Sequence, residues 1–424
     1  MEARNPVLLF ALCDTILRVI IMKMTREFPF ARVSRKQEAS LKKGHPWIYE
    51  DEISETDGEI TNGCLIDVFG TKNNYLGTGF YSEKSKIRIR ILGTNANEKY
   101  DDAFFERKVR YALQYRKDVM ADDMKACRLI HGEADGLPGL TVDRYNDILV
   151  TEVASYGTEM HKDVIYKALI DQLSEMGETI NGIYERNEGD LRLKEGLPQY
   201  KGWYGEKHPE SCVTEILENG IYYEVDVENG QKTGFFLDQK YNRRAIWNIA
   251  KGKRVLDCCT HTGSFALNAA KAGAKSVLAM DISETALQMA KKNAERNNLH
   301  LDFRQGDVFE VLPQLRAEHA QFDFIILDPP AFTKSRKTFH NAKGGYKQIN
   351  KEAMRLLGRG GYLASASCSH FMPVGEFRNM LSEAAFEAGV SIRIIEERHA
   401  SMDHPVLPDV PETEYLKFFV VQII

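Results

Sequence analysis

The C-terminal half of the chain alternates short apolar runs with longer segments of helical spacing, and this alternation constrains the fold more than any other feature. Alternating β and α elements form a parallel or mostly parallel sheet that is covered by helices on both faces. We therefore predict an α/β domain with a doubly wound sheet from about residue 240. The predicted strands are 254–259, 276–281, 322–328, 361–367, 391–397 and 415–424, and the predicted helices are 264–273, 284–298, 350–360 and 374–389.

Four aspartates stand at or just after the ends of successive predicted strands: Asp257, Asp281, Asp307 and Asp328. The carboxyl ends of parallel strands meet at one edge of a sheet, where ligands bind. A single aspartate at a strand end is often only a helix cap, whereas four of them together indicate a binding site.

The turn after the first strand, in "DCCTHTGSFAL", predicts the kind of ligand. It contains only Gly263 and lacks the glycine pattern of a phosphate-binding loop, so the ligand should be nucleoside-like but without a pyrophosphate. Asp281 lies 24 residues after Asp257 and is placed to bind a ribose diol, and Asp307 could accept a hydrogen bond from an adenine amino group. S-adenosylmethionine fits, because an amino-acid tail replaces the pyrophosphate.

The predicted strand 322–328 leads into "DPPAFTKS", in which Pro329 and Pro330 fix the backbone after Asp328. In amino-group methyltransferases a similar motif is followed at once by an aromatic ring that stacks on the base. Here Ala331 takes that place and Phe332 follows it, which argues against methylation of adenine N6 or cytosine N4.

A stretch of basic residues follows this motif and contains no acid before Glu352. Aromatic residues and glycines are interleaved with the positive charges, a composition typical of segments that bind nucleic acid. We predict a basic loop that clamps nucleic acid, with a merely solvated loop as the alternative. The basic residues are Lys334, Arg336, Lys337, Lys343, Lys347 and Lys351.

Cys368 follows the predicted strand 361–367, in "SASCSH", beside the strand that ends in Asp328. Buried cysteines are usually inert, but a cysteine at the ligand-binding edge is a candidate nucleophile. Cys258 and Cys259 end the first strand, and we expect one of them to pack beneath the cofactor. The seven cysteines show neither a CxxC pair nor metal-ligand spacing, which predicts a reduced, intracellular protein without a metal site.

The rest of the chain predicts three further parts. We predict an N-terminal extension over residues 1–29, a β-rich domain over 30–95 and a small α+β domain over 96–215, which leaves 216–424 for the α/β domain. The apolar run near the N-terminus is too short to span a membrane. It is either an amphipathic helix or an upstream extension of a chain that starts at Met22 or Met24.

Within the β-rich domain, "KIRIRIL" alternates basic and apolar residues with a period of two. We predict a half-buried strand whose face of Lys86, Arg88 and Arg90 lies in solvent, with contact to phosphates as the alternative. The net charge of −5 neither favours nor excludes nucleic acid, so any basic surface must be local.

Several segments together resemble one family, the ribosomal RNA large-subunit methyltransferases that form 5-methylcytosine. The resemblance covers nearly the whole chain from about residue 30. "LKKGHPWIYEDEI" and "LGTGFYSEKSKIRIRIL" resemble its N-terminal PUA domain, a small β-barrel that binds RNA. "HGEADGLPGLTVDRY" resembles its central-domain signature, "GQKTGFFLDQKYNRR" the start of its methyltransferase domain, and "DPPAFTKS" and "SCS" its last two motifs.

The resemblance implies a class I, Rossmann-like methyltransferase domain, a PUA-like domain and a central α+β domain. It implies S-adenosylmethionine as cofactor, 23S ribosomal RNA as partner, and a homodimeric cytoplasmic enzyme with no membrane partner. Cys368 would be the nucleophile, and Asp328 would contact substrate or methyl donor. The implied cofactor-binding residues are Phe235, Asp238, Asp257, Gly263, Asp281, Asp307 and Asp328. The residues that we assign to RNA contact are Pro329, Pro330, Phe332, Lys334, Arg336, Lys337 and Lys343.

The chemistry sets one further expectation and leaves two alternatives open. A cysteine reacts as its thiolate, so we expect the basic loop and the sulfonium of the cofactor to favour that form. A relative with a similar Asp-Pro-Pro loop methylates guanine N7, so a guanine (N7 or N2) ribosomal RNA methyltransferase is the main alternative. A small-molecule methyltransferase agrees less well with the PUA-like segment and the basic stretch.

Overall fold

The computed structural model describes residues 28–332 and 339–424. The predictions for residues 1–27 and for Lys334, Arg336 and Lys337 lie outside the described residues. No described helix is both long and apolar enough to cross a membrane.

The N-terminal part is a six-stranded sheet with one helix. Its elements are β1 (Phe30–Val33), α1 (Arg35–Lys43), β2 (Trp47–Tyr49), β3 (Ile53–Asp57), β4 (Leu65–Phe69), β5 (Tyr75–Tyr81) and β6 (Ile87–Gly93). The strand order is β2-β6-β5-β4-β1-β3. Helix α1 was absent from the predicted all-β pattern; it starts where Ser34 Oγ accepts from the amide of Gln37 and ends at Gly44, whose φ is +110°.

The prediction that Arg88 and Arg90 face solvent is wrong, because both side chains are buried. Arg90 lies over the ring of Trp47, 5.5 Å from its centroid. Its guanidinium pairs with Glu133 at 3.0 Å and with Glu195 at 3.2 Å, both in the central part of the chain. Arg90 therefore forms a contact between two parts of the molecule, Arg88 pairs with Glu50 of its own part, and only Lys86 is exposed as predicted.

The central part is a five-stranded sheet with helices. Its elements are α2 (Asp102–Met120), β7 (Ala126–His131), β8 (Leu140–Tyr145), β9 (Ile148–Val153), α3 (Tyr156–Glu175), β10 (Gly182–Asn187), α4 (Asp190–Glu195) and β11 (Tyr200–Trp203). The order is β11-β10-β9-β8-β7. Strands β9 and β10 are parallel and are joined through α3, since a parallel pair needs a crossover connection.

A hairpin of β12 (Val213–Glu218) and β13 (Ile221–Asp226) links the central sheet to the C-terminal part. Its buried side chains share one hydrophobic core with Tyr145 of β8 and with Phe235. The predicted boundary at residue 215 falls inside β12, and the domain limits stay a prediction.

The C-terminal part is a seven-stranded sheet with helices. Its elements are α5 (Lys240–Ala245), α6 (Trp247–Ala250), β14 (Arg254–Cys258), α7 (Ser264–Lys271), β15 (Ser276–Asp281), α8 (Glu284–Arg296), β16 (Asp302–Gln305), α9 (Val308–Ala317), β17 (Phe322–Leu327), α10 (Phe339–Leu356), β18 (Leu357–Ser367), α11 (Val374–Ala388), β19 (Ile392–Arg398) and β20 (Lys417–Ile423). The order is β16-β15-β14-β17-β18-β20-β19. The neighbours from β16 to β18 are parallel, and β20 is antiparallel to β18 and β19, which confirms the predicted α/β fold.

Each face of this sheet has its own hydrophobic core. Ile325 and Leu327 of β17 belong to one core, together with buried residues of α9, α10 and α11. Phe324 and Ile326 belong to the other, together with buried residues of α6 and α7. Alternate residues of one strand thus serve opposite faces, as in a sheet covered on both sides.

The strand order reverses between β14 and β17. The chain first adds β15 and β16 on one side of β14 and then returns to place β17 on the other side. The connections that leave β14 and β17 diverge at this point, which creates a crevice at the carboxyl edge of the sheet.

Helix α10 corrects the predicted basic loop. Residues 339–351, interpreted as loop, are helical, and the predicted helix at 350–360 ends at Leu356 instead. Gly344 and Gly345 obscured the helical pattern. Gly345 faces the ring of Phe332, since a Cβ there would lie 3.3 Å from the ring.

Candidate active site

A cavity of about 760 Å³ occupies the crevice. Its wall includes three of the four predicted aspartates, Asp281, Asp307 and Asp328, together with Cys368. Residues from before α5 and from the turn after β14 complete it. This volume is typical of sites that enclose a small ligand.

Asp281 and Asp307 lie on one side of this cavity and are held by backbone amides. Asp281 accepts from the amide of His261 at 2.8 Å and from that of Ser283 at 2.9 Å. Asp307 caps α9 by accepting from the amide of Phe309 at 2.9 Å. Each carboxylate oxygen has a second lone pair, so both residues can cap the backbone and also accept from ribose hydroxyls or an adenine amino group. The donor set therefore fits S-adenosylmethionine.

Asp257 and Gly263 shape the turn rather than line the cavity. Asp257 is buried, and its Oδ2 accepts from Thr260 Oγ1 at 2.5 Å and from the amide of Ala266 at 2.9 Å. Burial raises the pKa of Asp257 to about 7. Gly263 has a φ of +83°, and a Cβ there would lie 3.0 Å from that of Ala290. Both residues thus hold the first turn in its shape.

The segment before α5 contributes Phe236 and Asp238 to the wall, whereas Phe235 does not line the cavity. The ring of Phe235 is buried against Tyr223, with the Arg243 guanidinium 4.9 Å from its centroid. The predicted position is therefore corrected by one residue.

Asp238 is tied to two neighbours, because its Oδ2 accepts from Lys232 Nζ and from Tyr415 Oη, each at 2.7 Å. Burial alone would raise the pKa of Asp238, but Lys232, His404 and Tyr415 together hold it well below its usual range.

Asp328 and Cys368 lie on the other side of the cavity, after the neighbouring parallel strands β17 and β18. Asp328 accepts from Gln239 Nε2 at 3.1 Å. Burial and the nearby charge of Asp238 raise the pKa of Asp328 to about 6. Asp328 can therefore change protonation close to neutral pH.

The described residues around Cys368 do not by themselves favour its thiolate, and the expected contributions of the basic loop and of the sulfonium of the cofactor stay predictions. Burial raises the pKa of Cys368 to about 11, and Asp328 and Asp238 contribute in the same direction. Lys232 and Lys417 act against this shift. Of the two cysteines at the end of the first strand of this sheet half, Cys259 lines the cavity and Cys258 is buried in the core.

Pro329, Pro330 and Phe332 also line the cavity. The ring of Phe332 lies 4.5 Å from that of Tyr346 of α10 and 5.7 Å from that of Phe309. Phe332 is therefore held between an aromatic ring of α9 and one of α10.

Lys343 is paired with acids. Its ammonium lies 3.2 Å from Glu376 and 3.0 Å from Glu383, both on α11. Lys347 and Lys351 of the same helix pair with Glu387. The three lysines of α10 are thus balanced by acids of α11. The four-residue spacing of Lys347 and Lys351, repeated by Glu383 and Glu387, was the sequence signal for this pairing.

Sequence reasoning missed three residues at the site. Lys232 and Gln239 stand in the quoted "GQKTGFFLDQ" segment, so a closer reading of it could have found them. Lys417 has no sequence signal, because it reaches the site from the last strand of the sheet.

Two family models match the chain: a PUA-like domain over residues 31–94 and an S-adenosylmethionine-dependent methyltransferase over residues 202–422. Ribosomal RNA large subunit methyltransferase I of Aliivibrio fischeri strain MJ11 is 39% identical over 398 residues, which is 92% of this chain and 98% of that protein. The protein of the same name from Yersinia pseudotuberculosis serotype O:1b is 39% identical over 397 residues and covers the same shares.

Two solved structures share the fold. One, described as an S-adenosylmethionine-dependent methyltransferase from Streptococcus mutans, has a TM-score of 0.76 at 22% identity and covers 93% of this chain and 99% of its own. The other is a methyltransferase complexed with SAH, with a TM-score of 0.77 at 22% identity over the same shares.

Proposed function

Because the chain belongs to the ribosomal RNA large subunit methyltransferase I family and depends on S-adenosylmethionine, we propose that it methylates C5 of a cytosine in 23S ribosomal RNA. The observation that carries this proposal is the meeting of Cys368 and Asp328, from adjacent parallel strands, on the wall of one cavity with Asp281 and Asp307. A nucleophile, a titratable acid and a nucleoside-binding side are thus within one site.

The cysteine supplies what the pyrimidine lacks. C5 of cytosine is a poor nucleophile, and addition of the Cys368 thiolate to C6 turns C5 into an enamine carbon. S-adenosylmethionine supplies, when bound, an electrophilic methyl group and a positive sulfonium charge. After transfer, a base removes the C5 proton, the C5–C6 double bond re-forms and the thiolate leaves.

We assign to Asp328 the stabilisation of the cytosine ring during attack. As Cys368 adds at C6, negative charge develops on N3 and O2 of the cytosine. A protonated Asp328 can donate a hydrogen bond to N3 and offset that charge, and its pKa of about 6 keeps both protonation states accessible. The thiol of Cys368 must lose its proton before attack, since burial disfavours its thiolate.

RNA contact is proposed at the cavity mouth. The target base must leave its stack to reach Cys368, and Phe332, supported by Tyr346, offers an aromatic face for it. Pro329 and Pro330, which also line the cavity, and Lys343 of α10 are further candidates, and the PUA-like domain would bind RNA elsewhere. A cytoplasmic homodimer is also part of the proposal, and sedimentation analysis would test the oligomeric state.

The test is the Cys368→Ala variant. We expect it to bind S-adenosylhomocysteine normally and to lose methyl transfer to 23S RNA by more than about 1,000-fold, since a covalent route would be closed. Cys259→Ala, which changes a second cysteine of the same cavity, should keep most of the activity. Mass mapping of the RNA product would identify the methylated atom.

A trapping experiment separates the alternatives. RNA that contains 5-fluorocytosine should form a stable adduct with the wild-type chain and none with Cys368→Ala. Near-normal activity of Cys368→Ala without any adduct, or a methyl group on guanine, would overturn the proposal.

A further inference from the structure

Lys417 is a buried lysine beside the candidate nucleophile. Its side chain is 2% exposed, and its Nζ donates to the carbonyl of Ser369 at 2.5 Å and to that of Tyr415 at 2.7 Å. Within the described part of the chain it pairs with no carboxylate, which is unusual because a buried ammonium without a counter-charge is costly.

The sheet register places Lys417 across from the turn that carries Cys368. Lys417 is the first residue of β20 and stands opposite Ser367, the last residue of β18. Its ammonium then binds the carbonyl of Ser369. The lysine therefore contacts the backbone on both sides of Cys368, and the preceding Leu416 lines the cavity.

The charges around Cys368 make this lysine distinctive. Asp328 after β17 and Asp238 before α5 both disfavour a negative charge on the sulfur. Lys232 would favour it, but its ammonium is 2.7 Å from Asp238 and is largely neutralised there. Tyr346 of α10 and Glu414 before β20 also face the Cys368–Lys417 pair. Lys417 is the one cation near the sulfur that carries no such partner in the described structure.

An apolar residue at position 417 would be buried at a lower cost in desolvation free energy. The residues that follow Lys417 in β20 are buried and apolar, and Leu or Met would continue that pattern without removing an ammonium from water. A fold-stabilising role alone therefore does not account for a lysine here.

We propose that Lys417 is a positioning residue that fixes the Cys368 turn through Ser369 and supplies the positive charge that stabilises the Cys368 thiolate. Burial lowers the pKa of Lys417 to about 8, so at neutral pH Lys417 keeps its proton, and the thiol proton leaves to a base or to water. The inference rests on the proposed function for its use in catalysis, but the state of the thiol is measurable without any methyl transfer.

The experiment follows alkylation of Cys368 by iodoacetamide from pH 6 to pH 11, with peptide mass spectrometry to read that cysteine alone in the full chain. Lys417→Met should slow alkylation about tenfold between pH 6 and pH 7.5, and its rate should approach that of the wild type above about pH 8, where Lys417 itself loses its charge. Lys417→Arg should restore most of the wild-type profile, because it keeps the charge.

Lys240→Met is the matched control. Lys240 is also fully buried and also donates to a backbone carbonyl, that of Ala126 at 2.6 Å, but it lies against the central domain. Its variant should lose stability without moving the Cys368 profile. If Lys417→Met does not fold, as judged by circular dichroism, Lys417→Gln replaces it in the same measurement.

The proposal would be overturned if the pH profile of Cys368 alkylation were the same in the uncharged variant as in the wild type. The two proposals fail separately. An active Cys368→Ala variant would remove the nucleophile assignment, whereas an unchanged alkylation profile would remove the role of Lys417.

Discussion

Asp281 and Asp328 follow strands of the same sheet and line the same cavity, yet their surroundings differ. Asp281 is bonded by the backbone amides of His261 and Ser283, which lie in adjoining turns. Asp328 is bonded by the side chain of Gln239, 89 residues away, and burial shifts its pKa toward neutrality. We refer to Asp281, Asp307 and the turn after β14 as the nucleoside side, and to Asp328, Cys368 and their neighbours as the reaction side.

The difference teaches how the two sides arise. Carboxylates on the nucleoside side accept from backbone amides, two residues away at Ser283 and Phe309, and from His261 in the turn after β14. Groups on the reaction side depend on remote side chains and on burial, which perturbs their protonation, as is typical of catalytic groups. The first side can therefore be varied locally, whereas the second depends on the complete fold.

Asp328→Asn should give the largest difference between the effect on methyl transfer and the effect on cofactor binding. We expect methyl transfer to fall by about 100-fold or more, because Asn cannot change protonation, while the affinity for S-adenosylhomocysteine stays near that of the wild type. A bound-ligand titration and a single-turnover methylation assay would measure both. Loss of cofactor affinity in proportion to activity would contradict the division.

The same variant should raise stability at neutral pH. The folded-state pKa of Asp328 is about 6, above the usual value of 3.8, so the folded chain holds a proton there that the unfolded chain has lost. Stability therefore falls as pH rises through this window, by as much as about 3 kcal/mol. Denaturant unfolding should show Asp328→Asn more stable than wild type at both pH 5 and pH 7.5, with a difference about twice as large at pH 7.5, because pH 5 lies inside this window.

Asp281→Ala should give the converse result on the nucleoside side. We expect about 10- to 100-fold weaker binding of S-adenosylhomocysteine. The variant removes the carboxylate proposed to accept from the ribose hydroxyls, and it leaves two backbone amides without their acceptor. The matched control is Asp323→Ala, at the opposite end of β17, where the carboxylate pairs with Arg254 at 2.8 Å. Calorimetric titration should find that control unchanged, and equal losses in the two variants would argue against the nucleoside side.

Lys343→Ala should have the smallest effect. Its ammonium already pairs with Glu376 and Glu383, so an RNA phosphate must compete with them. We expect binding of 23S RNA fragments to weaken only about two- to fivefold, with a shallower dependence on salt. Filter binding at two salt concentrations would measure this, and a tenfold or greater loss would restore Lys343 as a principal RNA contact.

The sequence pointed to the aspartates and the cysteine that line the cavity but not to their remote partners, and the reason is physical. Helix caps and strand ends are local, so the positions of Asp281 and Asp307 follow from a few neighbouring residues. Lys417 reaches Ser369 across 48 positions and only through pairing of β20 with β18. Such contacts depend on sheet order, which alternation of strands and helices does not specify.

The misjudged segments have the same origin. Residues 339–351 were interpreted as loop because Gly344 and Gly345 lower helix propensity, but the helix is held by packing and by ion pairs with α11. Arg90 was placed in solvent by its period-two pattern, but its partners Glu133 and Glu195 belong to another part of the chain. Local patterns predict which face a residue occupies, and tertiary contacts decide what covers that face.

The contact between Arg90 and Glu195 limits how freely the N-terminal part could be replaced by recombination. Glu195 is buried, and its charge is compensated by an arginine that another sheet supplies. Replacing Arg90 alone by an apolar residue would leave Glu195 buried without that partner, which is strongly destabilising. The N-terminal sheet is therefore part of the structural integrity of its neighbour, and recombination that replaced it would have to replace both sides of the contact together.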